Sequence, residues 1–221
     1  MNAALTSSLK TQAAQPIRLY RSGLSGHCHR VELFLSLLGV PFELVDVDLA
    51  AGAHKRPDFL AMNSFGQVPV IQDSDVTVAD SNAILVYIAR RYAADVEQWL
   101  PSDPLAAAHV QRWLSVASGL LAFGPAYARV IQLFKSPASP KDAIARAHTL
   151  FKVMEQQLGK SAFLTGSSPS IADVANYSYV ACAPEGNVSL ADYPQLRAWL
   201  ARMEALPRFL PMVKTPIGLS A

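Results

Sequence analysis

The chain of 221 residues holds only two cysteines, Cys28 and Cys182, which lie far apart and form no C-x-x-C pair. That excludes a disulfide framework and points to a reducing, cytoplasmic setting. Charge is also sparse: charged residues are 16% of the chain, the formal net charge is +2, and no cluster of Lys and Arg occurs. A nucleic-acid partner is therefore not expected. No run of about eighteen apolar residues is present, so no membrane span is expected either. Residues 1–16 lack Arg, and their longest apolar run is Ala3-Ala4-Leu5. They lack the basic start and apolar core of a secretory signal and read as a disordered leader. What the chain does have is apolar content, 51% hydrophobic residues, enough for one large or two small globular domains.

From Ile17 the hydrophobic period alternates between strand and helix. Ile17 to Tyr20 reads as a strand, and Val31 to Leu38 as the apolar face of a buried helix stopped by Gly39 and Pro41. Phe42 to Val47 is a second strand, and Pro57 to Met62 a short helix. Val68 to Ile71 and Val76 to Val78 are strands around an Asp73-Ser74-Asp75 turn, and Asp80 to Tyr92 is a helix. The order βαβαββα suits a small α/β domain over 17–92. Residues 93–104, with two prolines, read as a linker, and 105–221 as an all-α domain. There, Leu105 to Phe134 forms one long helix or one kinked at Gly124-Pro125. Lys141 to Leu158 and Tyr193 to Leu206 are further helices, and Ser170-Ile171-Ala172-Asp173 is a capping box with Asp in place of Glu or Gln.

Two segments carry chemistry. In Phe65-Gly66-Gln67-Val68-Pro69 a proline falls inside a strand-like run, where it is expected at an edge or turn and in cis, leaving Val68 backbone groups free for another chain. Asp80-Ser81 then opens a helix, offering free N–H groups to a carboxylate and an acid to an amine. Together they read as half of a site for a small peptide. The second segment is the βα turn Arg21 to Val31, where ligands of open α/β sheets tend to sit. Ser25 is placed there as a helix N-cap, and its hydroxyl could also stabilise a bound thiolate.

Other readings of this turn fail on geometry. Gly23-Leu24-Ser25-Gly26-His27 lacks the last glycine of a nucleophile elbow. His27 and His29 point about 200° apart on a helix and cannot share one metal ion. Read as a C-x-x-C motif with Ser in its first, exposed position, the turn leaves Cys28 in the more buried second position, as a packed thiol.

The set Tyr20, Ser25, Arg30-Val31, Gly52-Ala53-His54-Lys55-Arg56-Pro57, Asn63-Ser64-Phe65-Gly66-Gln67-Val68-Pro69 and Asp80-Ser81-Asn82-Ala83-Ile84 resembles the cytosolic glutathione transferases. The likeness is strongest to the serine-type phi class and its bacterial relatives. It runs from Ile17 to about Phe209 and includes the Ser170 to Asp173 capping box. The resemblance implies a thioredoxin-like N-terminal domain, an all-helical C-terminal domain, glutathione as co-substrate, no metal, and a homodimer. It implies Ser25 as the catalytic serine, with His54 and Lys55 reaching the glycyl carboxylate assisted by Gln67. Val68, before cis Pro69, would pair with the cysteinyl backbone, while Ser81 takes the γ-glutamyl carboxylate and Asp80 the amine. Asp80 stands where Glu is usual, and Gly26-His27-Cys28-His29 has no match in the plant pattern.

The resemblance makes the other substrate a small hydrophobic electrophile bound between the domains. Leu24, Phe123, Tyr127 and Val130 are candidates for that pocket, although helical spacing favours a core role for the last three. Trp113 and Trp199 are expected to pack, and Tyr20 to serve as a strand residue rather than a catalytic phenol. The expected activity is conjugation of glutathione to electrophiles in detoxification. The alternatives are a glutathione-dependent thiol-disulfide reductase acting through Cys28, a peroxidase, or a non-catalytic glutathione- or ligand-binding protein.

Overall fold

A computed structural model describes residues 15–220, so the expected leader falls, apart from Gln15 and Pro16, outside the described residues. The N-terminal part is built from β1 (Ile17–Arg21), α1 (Gly26–Leu38), β2 (Phe42–Asp46), α2 (Pro57–Met62), β3 (Val70–Asp73), β4 (Val76–Ala79) and α3 (Ser81–Tyr92). The four strands lie in the order β2-β1-β3-β4. β1 and β2 are parallel, which requires the α1 crossover, and β3 runs antiparallel to both β1 and β4. Gly39 ends α1 with φ 66°, its N–H returning to the carbonyls of Leu35 and Ser36. The β3–β4 hairpin turns tightly, Asp73 pairing with Val76 and Ser74 taking φ 56°.

One expectation needs correcting here. The Val68-Pro69 bond is cis, but it does not lie in an edge strand. β3 begins at Val70 and is an interior strand, flanked by β1 and β4. The proline precedes the ladder, so its missing N–H interrupts nothing. The free backbone expected at Val68 exists for this different reason: among the described residues no backbone hydrogen bond takes up its N–H or C=O.

A short helix, α4 (Val96–Trp99), stands inside the stretch read as a connector. The remaining helices are α5 (Pro104–Ser118), α6 (Tyr127–Leu133), α7 (Lys141–Leu158), α8 (Ile171–Ala181) and α9 (Pro194–Glu204). α5 and α6 are not continuous. A π-type turn at Ala122–Ala126 separates them, with Gly124 at φ −104° and ψ −106° and Pro125 inside the turn. The stretch Pro104–Leu133 reaches a mean hydropathy of 1.4 over its most apolar window, yet half of that window is buried inside the protein. Its apolar face packs on neighbouring helices, with Val110, Trp113, Leu114 and Ala117 in the core.

α8 is the hub of this part. Every residue from Ile171 to Val180 is buried, as in a helix surrounded on all sides. α5 and α9 pack against it, and α1 packs on it from the α/β side, joining the two parts through one continuous core. Ser170 Oγ accepts from the Ala172 N–H at 3.2 Å, while Asp173 accepts from the Ser170 N–H at 2.9 Å. The Asp173 carboxylate also takes the Leu164 N–H at 2.8 Å and the Trp199 indole N–H at 2.9 Å. Trp199 is thus a packed residue, as expected, and also a donor that ties α9 to α8.

Candidate functional site

β1 delivers the chain to the turn before α1, where Ser25 (φ −87°, ψ 119°) is the N-cap and its Oγ accepts from the Cys28 N–H at 3.3 Å. A cap uses the oxygen as acceptor and leaves the hydroxyl proton free to donate. The helical domain holds this turn at two points. Arg129 Nη1 donates to the Leu24 carbonyl at 2.7 Å, and the Gly26 N–H donates to Tyr179 Oη at 3.1 Å. Gly26 admits no side chain, because a Cβ there would lie 2.7 Å from Cζ of Tyr179.

The loop before β3 forms the opposite wall. Asn63 folds it by donating from Nδ2 to the Gln67 carbonyl at 2.8 Å and accepting the Phe65 N–H at 3.1 Å. Lys55 Nζ bonds the carbonyls of Phe65 and Gly66 at 3.2 and 3.1 Å, and His54 Nδ1 is buried with no partner among the described residues. Gly66 has φ 57°, and a Cβ there would lie 2.7 Å from the His54 carbonyl oxygen, so only glycine lets the two loops meet.

The third wall is the start of α3. Asp80, at φ 71°, occupies a backbone region that non-glycine residues rarely adopt and that costs on the order of 1–3 kcal/mol. Its Oδ1 accepts from the N–H groups of Asn82 and Ala83, both at 2.9 Å. Asp80 is therefore a true N-cap, and its second oxygen is left over for a ligand. Two of the donors expected to face a carboxylate are thereby consumed. The Ser81 N–H remains without a partner among the described residues.

Ser25, His54, Lys55, Gln67, Val68, Pro69, Asp80 and Ser81 all line one groove of about 880 Å³. His27 also lines it, although the sequence pattern assigned it no place. Burial, reinforced by the nearby Arg30 charge, pushes the His27 pKa down to about 3, so the groove presents a neutral imidazole. His29 points elsewhere: its Nδ1 meets Ser178 Oγ and its Nε2 the Leu210 carbonyl, each at 2.9 Å. Cys28 is fully buried, and its thiol is pushed up to about 11, chiefly by desolvation. Tyr20 stays in the sheet with its Oη on Gln72 at 2.7 Å.

Leu24, Phe123, Tyr127 and Val130 do not line that groove, and the core role favoured for the last three is wrong. Phe123 is 59% exposed, Tyr127 44% and Val130 36%. Phe123 lies in the π-type turn and Tyr127 and Val130 lie beyond it on α6, so the break at Gly124-Pro125 interrupts the helical spacing on which a core role rested. The sequence reading also gave no role to Arg30, Arg129 or Tyr179. A signal existed for Arg30, a charged residue set directly against the apolar run from Val31; Arg129 and Tyr179 act only through long-range contacts.

Residues 15–90 match the family described as "Glutathione S-transferase, N-terminal domain", and residues 120–207 match "Glutathione S-transferase, C-terminal domain". Glutathione S-transferase 3 of Zea mays is 36% identical over 207 residues, covering 88% of this chain and 91% of the maize protein. A glutathione S-transferase structure from Pseudomonas fluorescens Pf-5 superposes with a TM-score of 0.83 at 34% identity, covering 90% of this chain and all of that one. A glutathione transferase homolog from Drosophila mojavensis, solved with bound glutathione, gives a TM-score of 0.79 at 27% identity, covering 87% and 89% of the two chains. With both domain matches in chain order and homology across most of its length, this chain belongs to the glutathione S-transferase family.

Proposed function

We propose that the protein is a serine-type transferase that conjugates the glutathione thiolate to hydrophobic electrophiles. The observation that carries this reading is the placement of Ser25 at the α1 N-terminus, in the same groove as His54, Lys55 and the α3 N-terminus. The tripeptide would lie with its glycyl carboxylate toward Lys55 and its cysteinyl backbone against Val68. Its γ-glutamyl end would meet Ser81 and the free oxygen of Asp80. That orientation brings the thiol to the Ser25 hydroxyl and the positive end of α1, an environment that lowers a thiol pKa. Holding the thiolate beside an apolar co-substrate adds proximity to nucleophile activation.

The exposed apolar side chains of Leu24, Phe123, Tyr127 and Val130 provide the face against which an electrophile would pack. Reductase chemistry through Cys28 fits less well, since a fully buried thiol with a raised pKa supplies little thiolate. A homodimer, a cytoplasmic location and a detoxifying role complete the proposal. The deciding experiment is the ultraviolet thiolate absorbance of enzyme-bound glutathione as pH is varied. A bound thiol titrating well below the free one is expected; titration at the free value would remove thiol activation from the mechanism.

A further inference from the structure

The first N–H groups of a helix find no partner inside it and must be met from elsewhere. At the start of α1 the protein meets three of them. The Ser25 N–H goes to the Ser22 carbonyl at 3.0 Å, the Gly26 N–H to Tyr179 Oη at 3.1 Å and the Cys28 N–H to Ser25 Oγ at 3.3 Å. The His27 N–H between them has no partner among the described residues.

The side chain of the same residue is also unengaged. His27 is partly buried and lines the groove together with Ser25. Its ring makes a T-shaped contact with Tyr179, centroids 5.1 Å apart at 72°, so the helical domain holds it in place by packing. Neither ring nitrogen has a hydrogen-bond partner among the described residues, unlike those of His29 and His148, which bond Ser178, the Leu210 carbonyl and Tyr193. A packed polar ring that faces a ligand groove and meets no protein partner has its hydrogen bonds free for the ligand.

The protonation state of the ring narrows what it can do. Burial and the Arg30 charge hold its pKa at about 3, so at neutral pH it is an uncharged imidazole with one N–H donor and one acceptor nitrogen. So weak a base does not take the proton of a thiol. Donation remains, and in the orientation given above the group brought to this end of α1 is the sulfur.

We propose that the His27 imidazole N–H is a second side-chain donor to the glutathione sulfur, acting beside Ser25 to stabilise the thiolate that attacks the electrophile. This rests on the groove being the glutathione site and adds a residue to the group that holds the sulfur. The thiol proton itself passes to solvent, and His27 keeps its own.

Two substitutions separate donation from packing. His27→Phe keeps a ring against Tyr179 and removes the donor, whereas His27→Gln removes the ring and keeps a side-chain N–H. The ultraviolet titration of bound glutathione would be run on both and on the unaltered protein. Calorimetric affinity for S-methylglutathione, which has no thiol to ionise, is the control. His27→Phe should move the titration of the bound thiol upward by about one pH unit, the size of one hydrogen bond to a charged group. His27→Gln should move it by less than half as much. Affinity for S-methylglutathione should change less than about threefold in both.

An unchanged titration in His27→Phe would overturn the proposal. The reverse order, with His27→Gln the more damaging, would assign His27 to packing on Tyr179 and overturn it too, as would a matching loss of S-methylglutathione affinity. Should His27→Phe fail to fold, His27→Ala decides: its bound thiol should titrate higher, and an unchanged value refutes the proposal. If the unaltered protein already titrates its bound thiol at the free value, thiol activation fails as a whole. A lowered value there that survives in His27→Phe refutes this inference alone.

Discussion

At the scale of single residues, several groups serve two purposes that the sequence presents as alternatives. Ser25 caps α1 with a lone pair, which leaves its proton available to donate, so the observed cap is compatible with the proposed chemical role. Ser25→Ala should therefore cut conjugation of a chloronitroarene by about 10²-fold or more, as loss of an oxyanion-type donor does. Loss of the cap should cost only about 1 kcal/mol of stability, and glutathione affinity should change little. Steady-state kinetics beside urea unfolding checks both parts, and unchanged turnover would remove Ser25 from the mechanism. Asp80 divides its carboxylate in the same way, one oxygen capping and one free. Cys28 and Cys182 are packed thiols: both are buried, the Cys28 Sγ accepts the Ser22 N–H at 3.4 Å, and desolvation pushes their thiols up to about 11 and about 12. Neither should react with a thiol-specific alkylating agent at pH 8 until the protein is unfolded. Rapid native labelling of Cys28, followed by mass spectrometry, would restore the reductase reading.

At the scale of elements, the helices are positioned by buried polar ties more than by caps alone. Asp173 joins the start of α8 to the preceding loop and to α9, through the N–H groups of Ser170, Leu164 and Trp199. Asp173→Ala strips all of these at once and leaves buried donors unsatisfied, so a loss of about 3 kcal/mol or more is expected in chemical denaturation. Most helix cores were legible: Pro57–Met62 and Lys141–Leu158 have the bounds that their periodicity and flanking residues suggest. The α5–α6 region was legible only as a choice between a straight and a kinked helix, since Gly124-Pro125 weakens the backbone there without stating where the next turn will point.

α6 then carries Arg129, which ties the Leu24 carbonyl to Glu185, itself held by Thr215 from the C-terminal tail. Arg129→Met alone would strand the Glu185 charge, whereas Arg129→Met with Glu185→Leu replaces the pair by packing. The double variant should recover most of the stability lost by the single one, yet both should show a lowered kcat because the turn bearing Ser25 keeps only one of its two ties to the helical domain. Full recovery of kcat in the double variant would show that the tie serves stability alone.

At the scale of the whole molecule, the two parts are bound into one unit through α1 and α8, and the histidines of α1, His29 buried and His27 partly so, make that unit sensitive to acid. His29 bridges Ser178 on α8 and the Leu210 carbonyl in the tail, with its pKa held at about 4 chiefly by burial, against an ordinary 6.5. His27, at about 3, is neutral for the same reason. In the unfolded chain both bind protons below pH 6.5, so the unfolded state gains protons first and stability falls as pH drops from there toward the folded-state values. Removing His29 from this linkage, as in His29→Gln, should make the slope of stability against pH shallower by about 1.4 kcal/mol per pH unit. Urea unfolding between pH 5.5 and about 4.5 checks it; an unchanged slope would mean that His29 is protonated in the folded protein.

By itself the sequence determined the order of elements, the α/β and helical halves, and the residues that come together to line the groove. Those are local properties: hydrophobic period, turn residues and side-chain chemistry at fixed spacing. Only the tertiary structure decided that Pro69 precedes an interior strand, that Phe123, Tyr127 and Val130 face outward, and that Arg30 is buried against Ser81 and Asn82. Each depends on which distant segment packs against which, and burial, charge and an unmet hydrogen bond acquire meaning only once those neighbours are in place.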